Sequence, residues 1–251
     1  MMEFDPTFEL TRKLVPTLEF LDRVDSTNSY MAQRQWDPFS VVLSLDQTHG
    51  RGRLDRSWVA LPGDSLALSI CVPVSDLGGE STFPPSWVPL VAGACLVEAL
   101  RSMGVNSVTM KWPNDVLVYG KKISGVLCEL RTSGDMIVGI GLNLRFSEGP
   151  PADEAISLEE VKSSSPFSAD KFVAGVVSRV RQLVFADYAD VREFVEEKLA
   201  TLGRDVSIHP LGADPWRGKA EGLDGQGNLI VKKGHGEIVT VSASDIRHLR
   251  Q

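Results

Sequence analysis

Cysteine, long apolar runs and surplus positive charge are all scarce in this chain, and each scarcity removes a class of protein. Its three cysteines, Cys71, Cys95 and Cys128, sit in apolar runs with no paired spacing. Neither a disulfide framework nor a thiolate zinc site is indicated, and buried free thiols suit a reducing cytoplasm. The four histidines, His49, His209, His235 and His248, show no ligand spacing either. The longest apolar-rich stretch, Trp87–Met103, carries Glu98 and Arg101 and is short for a membrane span. The first residues lack the cationic start and apolar run of a secretory leader. A formal net charge of −7 argues against a general nucleic-acid binder, whose footprint is a basic domain. Residues 1–17, too few to fold alone, are expected to form an extended arm or a short helix and not a DNA-reading module. The expectation is a cytoplasmic protein with no membrane or nucleic-acid partner.

What is present fits an ordinary globular protein: 251 residues, 43% hydrophobic and 24% charged. At roughly 150 residues per domain, one large and one small domain are expected. Alternating or apolar runs predict strands at 18–20, 40–45, 65–74, 108–112, 115–119, 123–129 and 136–146. Helical spacing predicts a mostly buried helix over Trp87–Met103, stopped at Gly104, a two-faced helix from Asp170, and a further one over Val191–Leu202. Residues 75–86 predict a flexible connection, and 149–165 a Pro/Glu/Ser-rich passage with one helical turn. Beyond Gly203 the texture changes to short strands at 206–209, 216–223, 229–233 and 238–241, punctuated by Asp224-Gly225 and Gly227-Asn228, as in a small barrel. This divides the chain into 1–203 and 204–251.

Three stretches carry chemistry. In Val108–Trp112 alternation sends Val108, Met110 and Trp112 to one face and Thr109 and Lys111 to the other. Pro113 ends that strand and an Asn114-Asp115 turn follows, so Lys111 stands on rigid backbone beside amide and carboxylate groups. A cation held in that way can stabilise charge that builds during a reaction. Ser26-Thr27-Asn28 precedes Tyr30-Met31-Ala32 as a helix start; capping explains one of the three polar residues and does not require the others. Gly50-Arg51-Gly52-Arg53, followed by Arg56 and Trp58, combines glycines that let a ligand approach with guanidiniums that pair with phosphate. Its arginines have no evident internal partner, which predicts a loop that orders over a ligand.

Lys-Trp-Pro-Asn-Asp (111–115) followed by Lys-Ile-Ser-Gly (122–125) resembles the signature of the biotin protein ligases. The Ser-Thr-Asn run, the Gly-Arg-Gly-Arg loop and Gly139-Ile140-Gly141 with Asn143 stand in that family's order. The resemblance covers nearly the whole chain. It implies an α+β fold: a mixed β-sheet catalytic domain with helices mainly on one face, like that of class II aminoacyl-tRNA synthetases, and a small SH3-like C-terminal β-barrel. It places biotin against Ser26, Thr27, Asn28, Gln47, Gly50, Arg51, Gly52, Arg53, Lys111, Gly125, Gly139 and Gly141. It places ATP and its phosphates against Arg53, Arg56, Trp58, Lys111, Asn114, Lys122 and Asn143, with Lys111 and Arg53 catalytic. Mg²⁺ is expected with the phosphates near Asn143, held by few protein ligands. The implied partner is the biotin carboxyl carrier domain of acetyl-CoA carboxylase or a related enzyme, and the implied state a monomer or homodimer. Asp55 stands where the family often has glycine, beside the supposed phosphate site. The competing expectations are a lipoate ligase or octanoyltransferase, and a non-catalytic biotin sensor.

Overall fold

The computed structural model describes residues 7–54, 56–74, 83–161 and 167–243, and the backbone of 246–250. Asp55 and most of the 75–86 connection lie outside the described residues. Helix α1 (Glu9–Arg12), strand β1 (Leu18–Leu21), helix α2 (Thr27–Ala32) and strands β2 (Val41–Ser44) and β3 (Ser65–Pro73) come first. Helix α3 (Val88–Ser102) leads into strands β4 (Val108–Lys111), β5 (Asp115–Val118), β6 (Lys121–Leu130) and β7 (Asp135–Asn143). One helical turn, α4 (Leu158–Val161), precedes helices α5 (Ala169–Val184) and α6 (Tyr188–Glu196). Strands β8 (Asp205–Pro210), β9 (Trp216–Leu223), β10 (Leu229–Lys233), β11 (Ile238–Val241) and β12 (Ile246–Arg250) complete the chain.

The first seven strands form one sheet in the order β1-β2-β3-β7-β6-β5-β4. β1 runs parallel to β2 and the other pairs are antiparallel. This is the expected mixed sheet, and alternation gives it two different faces. Val41 and Leu43, then Leu66, Leu68, Ile70 and Val72, then Val138, Ile140 and Leu142 all enter the main core. Helix α3 packs there against strands β4 to β7, and α5 packs on α3 and α1. Helix α3 is buried almost all round, as its composition predicts. The opposite face carries α2, packed on β2, β3 and β7 over Met31, Val42, Cys71 and Ile137. Along the rest of that face the strands carry Ser65, Ala67, Ser69, Gly125, Gly139 and Gly141, and there the site is built.

One expectation about the helical end is corrected. Helix α6 stops at Glu196 and does not continue to Leu202. Met110 N–H donates to the Lys198 carbonyl at 2.8 Å and Ala200 N–H to the Met110 carbonyl at 2.8 Å, so the chain there pairs with the sheet edge. Strand β12, which the sequence does not announce, pairs with β8. The last five strands make a separate antiparallel sheet in the order β11-β10-β9-β8-β12. Its β9–β10 turn docks on the large sheet's helical side. Trp87 Nε1 donates to the Gly225 carbonyl and Trp112 Nε1 to the Gly227 carbonyl, each at 3.0 Å. Asp224 shapes this turn by accepting from the Gln226 and Asn228 amides at 2.8 and 2.9 Å.

Candidate active site

A cavity of about 320 Å³ lies over the small-residue face, between α2, the Arg51–Trp58 loop and strands β4 to β7. The glycines of β7 make room for protein side chains as much as for a ligand. A Cβ on Gly139 would lie 2.3 Å from Asn28 Oδ1, and one on Gly141 2.5 Å from the Trp58 ring. The register through both glycines is unbroken on each side, so no bulge accounts for them. Asn28 and Trp58 therefore lie flat on bare backbone, side by side along the strand.

Amide and hydroxyl groups converge at the Asn28 end. Ser26 has extended backbone and caps α2, its Oγ accepting from Ser29 N–H at 3.5 Å. Asn28 is only 4% exposed. Its Nδ2 donates to Glu129 Oε2 at 2.7 Å and to the Leu127 carbonyl at 3.2 Å. Its Oδ1 accepts from Ser69 Oγ at 2.7 Å, and Ser69 Oγ also lies 2.8 Å from Thr27 Oγ1. Gln47 Oε1 accepts from Thr27 N–H at 2.8 Å, which turns the Gln47 Nε2 donors the other way. This end offers both donors and acceptors on a rigid frame.

Cations gather at the other end. From Leu127 to Lys122 strand β6 runs roughly 16 Å at about 3.3 Å per residue. Lys122 Nζ is 2.6 Å from Asp115 Oδ1 and 5.5 Å from the Trp58 ring centroid. Trp58 Nε1 in turn donates to Ser65 Oγ at 3.1 Å. Lys111 projects to this face, as its alternation predicts, its backbone paired with Asp115 across the β4–β5 register. Among the described residues Lys111 Nζ has no ion pair. Arg53 Nη1 lies 3.4 Å from Asn114 Oδ1, and Nη2 donates to the Ala243 carbonyl, which belongs to the segment after β11. Burial pulls the Arg53 guanidinium below its ordinary value, and Asp115 acts against that shift. Burial pushes all three thiols up, so no cysteine is set up as a nucleophile.

Comparison with known proteins assigns this arrangement. Residues 20–145 match the biotin/lipoate A/B protein ligase family, and residues 201–249 match the biotin protein ligase C-terminal domain. The biotin–[acetyl-CoA-carboxylase] ligase of Mycobacterium tuberculosis is 30% identical over 216 residues, 84% of this chain and 79% of that protein. The enzyme of the same name from Paracoccus denitrificans is 30% identical over 244 residues, covering 89% and 97%. The chain belongs to the biotin protein ligases. The Aquifex aeolicus biotin protein ligase, solved with biotin and ATP, superposes with a TM-score of 0.79 at 28% identity, over 94% of this chain and 99% of that one. As a biotin protein ligase the chain is an enzyme of the ligase class with the expected α+β fold.

The cavity brings together most of the residues that the resemblance singles out: Ser26, Thr27, Asn28, Gln47, Arg51, Gly52, Arg53, Arg56, Trp58, Lys111, Asn114, Lys122, Gly125, Gly139 and Gly141 all line it. Gly50 does not. It lies under the loop's outer side, where its carbonyl accepts from Trp58 N–H at 2.8 Å and a Cβ would strike the Trp58 carbonyl. Asn143 does not line it either. Its Nδ2 donates to the Ile156 carbonyl at 3.1 Å, and the 152–155 segment lies over the site in its place. The loop differs from expectation too, because its arginines have partners. Arg51 Nη2 meets Glu129 Oε2 at 2.6 Å, and Arg51 bridges to Ser57 as a small hairpin. The sequence reading missed Glu129 and Ser69, and it set Asp115 beside Lys111 without its ion pair to Lys122. A signal for Ser69 was present in the alternation of Ser65-Leu66-Ala67-Leu68-Ser69-Ile70, which marks a face kept small. For Glu129 there was none, since its partners are 78 and 101 residues away.

Proposed function

We propose that this chain joins biotin to ATP as biotinyl-AMP and passes the biotinyl group to one lysine of a carboxylase carrier domain. A carboxylate oxygen of biotin attacks the α-phosphorus and the bond to pyrophosphate breaks. The carrier amine then attacks the mixed-anhydride carbonyl, AMP leaves, and the amine loses its proton. The observation that carries this reading is the polarity of the cavity, amide and hydroxyl groups at one end and Lys111, Lys122, Arg53 and Arg56 at the other. A cyclic urea needs both donors and acceptors, which Gln47, Asn28, Thr27 and Ser26 supply. Both chemical steps build negative charge, which fixed cations stabilise and no protein nucleophile need share.

Lys111, on rigid strand backbone and without an ion pair among the described residues, is the cation proposed for the α-phosphate. Lys122 is held by Asp115 and is proposed to hold the same phosphate from the other side. Trp58 gives the adenylate a flat apolar surface, and the Arg51–Ser57 hairpin shields the anhydride from water. Mg²⁺ would neutralise phosphate charge. No cluster of three or more metal-ligating side chains occurs among the described residues, and Asp115 and Glu154 are the carboxylates lining the cavity. That donor set fits an ion carried mainly by the phosphates and water. Among the described residues no helix is long and apolar enough to cross a membrane.

The test is mass spectrometry of a carrier domain after incubation with this protein, biotin and MgATP. One added biotinyl group on one lysine, with pyrophosphate released, is expected. Pyrophosphate release with lipoate or octanoate and not with biotin would overturn the assignment. Tight biotin binding with no AMP formed would make the protein a sensor.

A further inference from the structure

The carboxylate of Glu129 joins two parts of the site that the sequence places far apart. Its Oε2 accepts from Asn28 Nδ2 at 2.7 Å and pairs with Arg51 Nη2 at 2.6 Å. Its side chain is one-third exposed, and that of Arg51 43%. An amide side chain can face either way, and its neighbours decide. The Glu129 carboxylate and the Leu127 carbonyl are both acceptors only, so they fix the NH₂ group of Asn28 on their side. Both Nδ2 hydrogens are then occupied. Asn28 Oδ1 is held by Ser69 on the β3 side, over bare Gly139, and this one bond leaves it a second lone pair.

We propose that Glu129 is a positioning residue that sets the polarity of the ligand's ring end and fastens the glycine-arginine loop with the same oxygen. By occupying both Nδ2 hydrogens together with Leu127, it leaves the Asn28 oxygen as the group with spare capacity, so the site favours a ring N–H donor, as a cyclic urea offers, over a bare carbonyl or thioether. A second contact, the charged pair to Arg51, ties the mouth of the site to this recognition element. This inference rests on the reading that the Asn28 end receives the ureido ring.

Two variants separate the two contacts. Glu129→Ala loses both, so biotin affinity by calorimetry is expected to fall at least tenfold. Glutamine keeps an acceptor oxygen for Asn28 but no charge for Arg51. Glu129→Gln is therefore expected to recover most of that affinity, while backbone hydrogen exchange across 50–58 stays several-fold faster than wild type in both variants. A general loss of structure would not be rescued in one readout and left in the other. If wild type binds biotin and Glu129→Ala binds it within twofold, the inference is wrong and the ligase reading stands. Affinity for Glu129→Gln as poor as for alanine would overturn the amide-orientation part. If Glu129→Ala does not fold, the glutamine variant and Arg51→Ala decide: equal exchange across 50–58 in wild type and both variants sinks the link. Failure of wild type to bind biotin at all would instead remove the ligase reading.

Discussion

On β3, Leu66, Leu68, Ile70 and Val72 point into the core, while Ser65, Ala67 and Ser69 between them take the opposite face, where Ser65 meets Trp58 and Ser69 meets Thr27 and Asn28. Strand β7 repeats this, with Val138, Ile140 and Leu142 on the core side and Gly139 and Gly141 on the other. Each large core-side residue contributes about 1.5–3 kcal/mol by leaving water. The small residues contribute little by burial; they leave space where Asn28, Trp58 and a ligand can lie against the backbone. Stability and chemistry are thus carried by alternate residues of the same strands. The sheet can hold a reactive site rigidly because its other face is densely packed.

This contrast predicts that substitutions one residue apart should fail in different ways. The largest effect is expected from Leu68→Ala on the core side, a loss of about 2–5 kcal/mol in unfolding free energy measured by denaturant titration. The folded fraction should still form biotinyl-AMP at a rate within about threefold of wild type, the spread expected where no site contact is touched. Slower chemistry in fully folded Leu68→Ala would show that the two faces are not separable.

On the site side, Lys111→Ala should remove a positioned cation from a transition state and slow biotinyl-AMP formation about 10²–10³-fold. Its unfolding free energy should stay within about 0.5 kcal/mol, since the side chain has no ion pair among the described residues. A rate near wild type would leave Lys111 as a strand residue only and assign the phosphate to Lys122 alone. A smaller effect is expected from Gly139→Ala. The new Cβ would lie 2.3 Å from Asn28 Oδ1, so Asn28 must move and biotin should bind about thirtyfold more weakly, ~2 kcal/mol. Its neighbour Ile140→Val should cost about 0.5–1.5 kcal/mol of stability and leave biotin affinity alone. If Gly139→Ala binds biotin normally, the bare backbone serves some other purpose.

Much of this division can be read in the sequence, and the unreadable parts share a cause. Strands β9, β10 and β11 follow from short alternating runs between Asp-Gly and Gly-Asn turns, which are local signals. Lys111 falls on the cavity face because alternation in β4 needs no knowledge of its neighbours. Helix α6 ends early because residues 198–200 pair with Met110, a contact no local pattern contains. Asn143 stands on the strand that the family order assigns to it, yet its amide bonds to the Ile156 carbonyl of a later segment, whose Ala152, Glu154 and Ala155 line the cavity while Asn143 does not. Trp112, within the signature itself, is 1% exposed and serves to dock the β9–β10 turn. Local periodicity gives which face a residue takes; what meets it there is set by distant chain.

An effect of about tenfold, smaller than those at Lys111 and Gly139, tests the lid over the site face. Arg53 is held by Asn114 on one strand connection and by the Ala243 carbonyl beyond β11, so the loop is fastened even without a ligand. A guanidinium has five donors, and the two contacts leave others for a phosphate. If Arg53 clamps biotinyl-AMP, Arg53→Gly loses a charge-assisted contact and adds backbone freedom to the loop. Both losses fall on the bound intermediate, so the variant should still make biotinyl-AMP but release it about tenfold faster, ~1.4 kcal/mol. Free intermediate and biotin on bystander lysines should rise together. A merely structural arginine would loosen the loop in the empty protein and leave the release rate alone. Dissociation rates agreeing within about twofold, roughly 0.4 kcal/mol, would show that Arg53 fastens the loop to the segment after β11 and does not hold the phosphate.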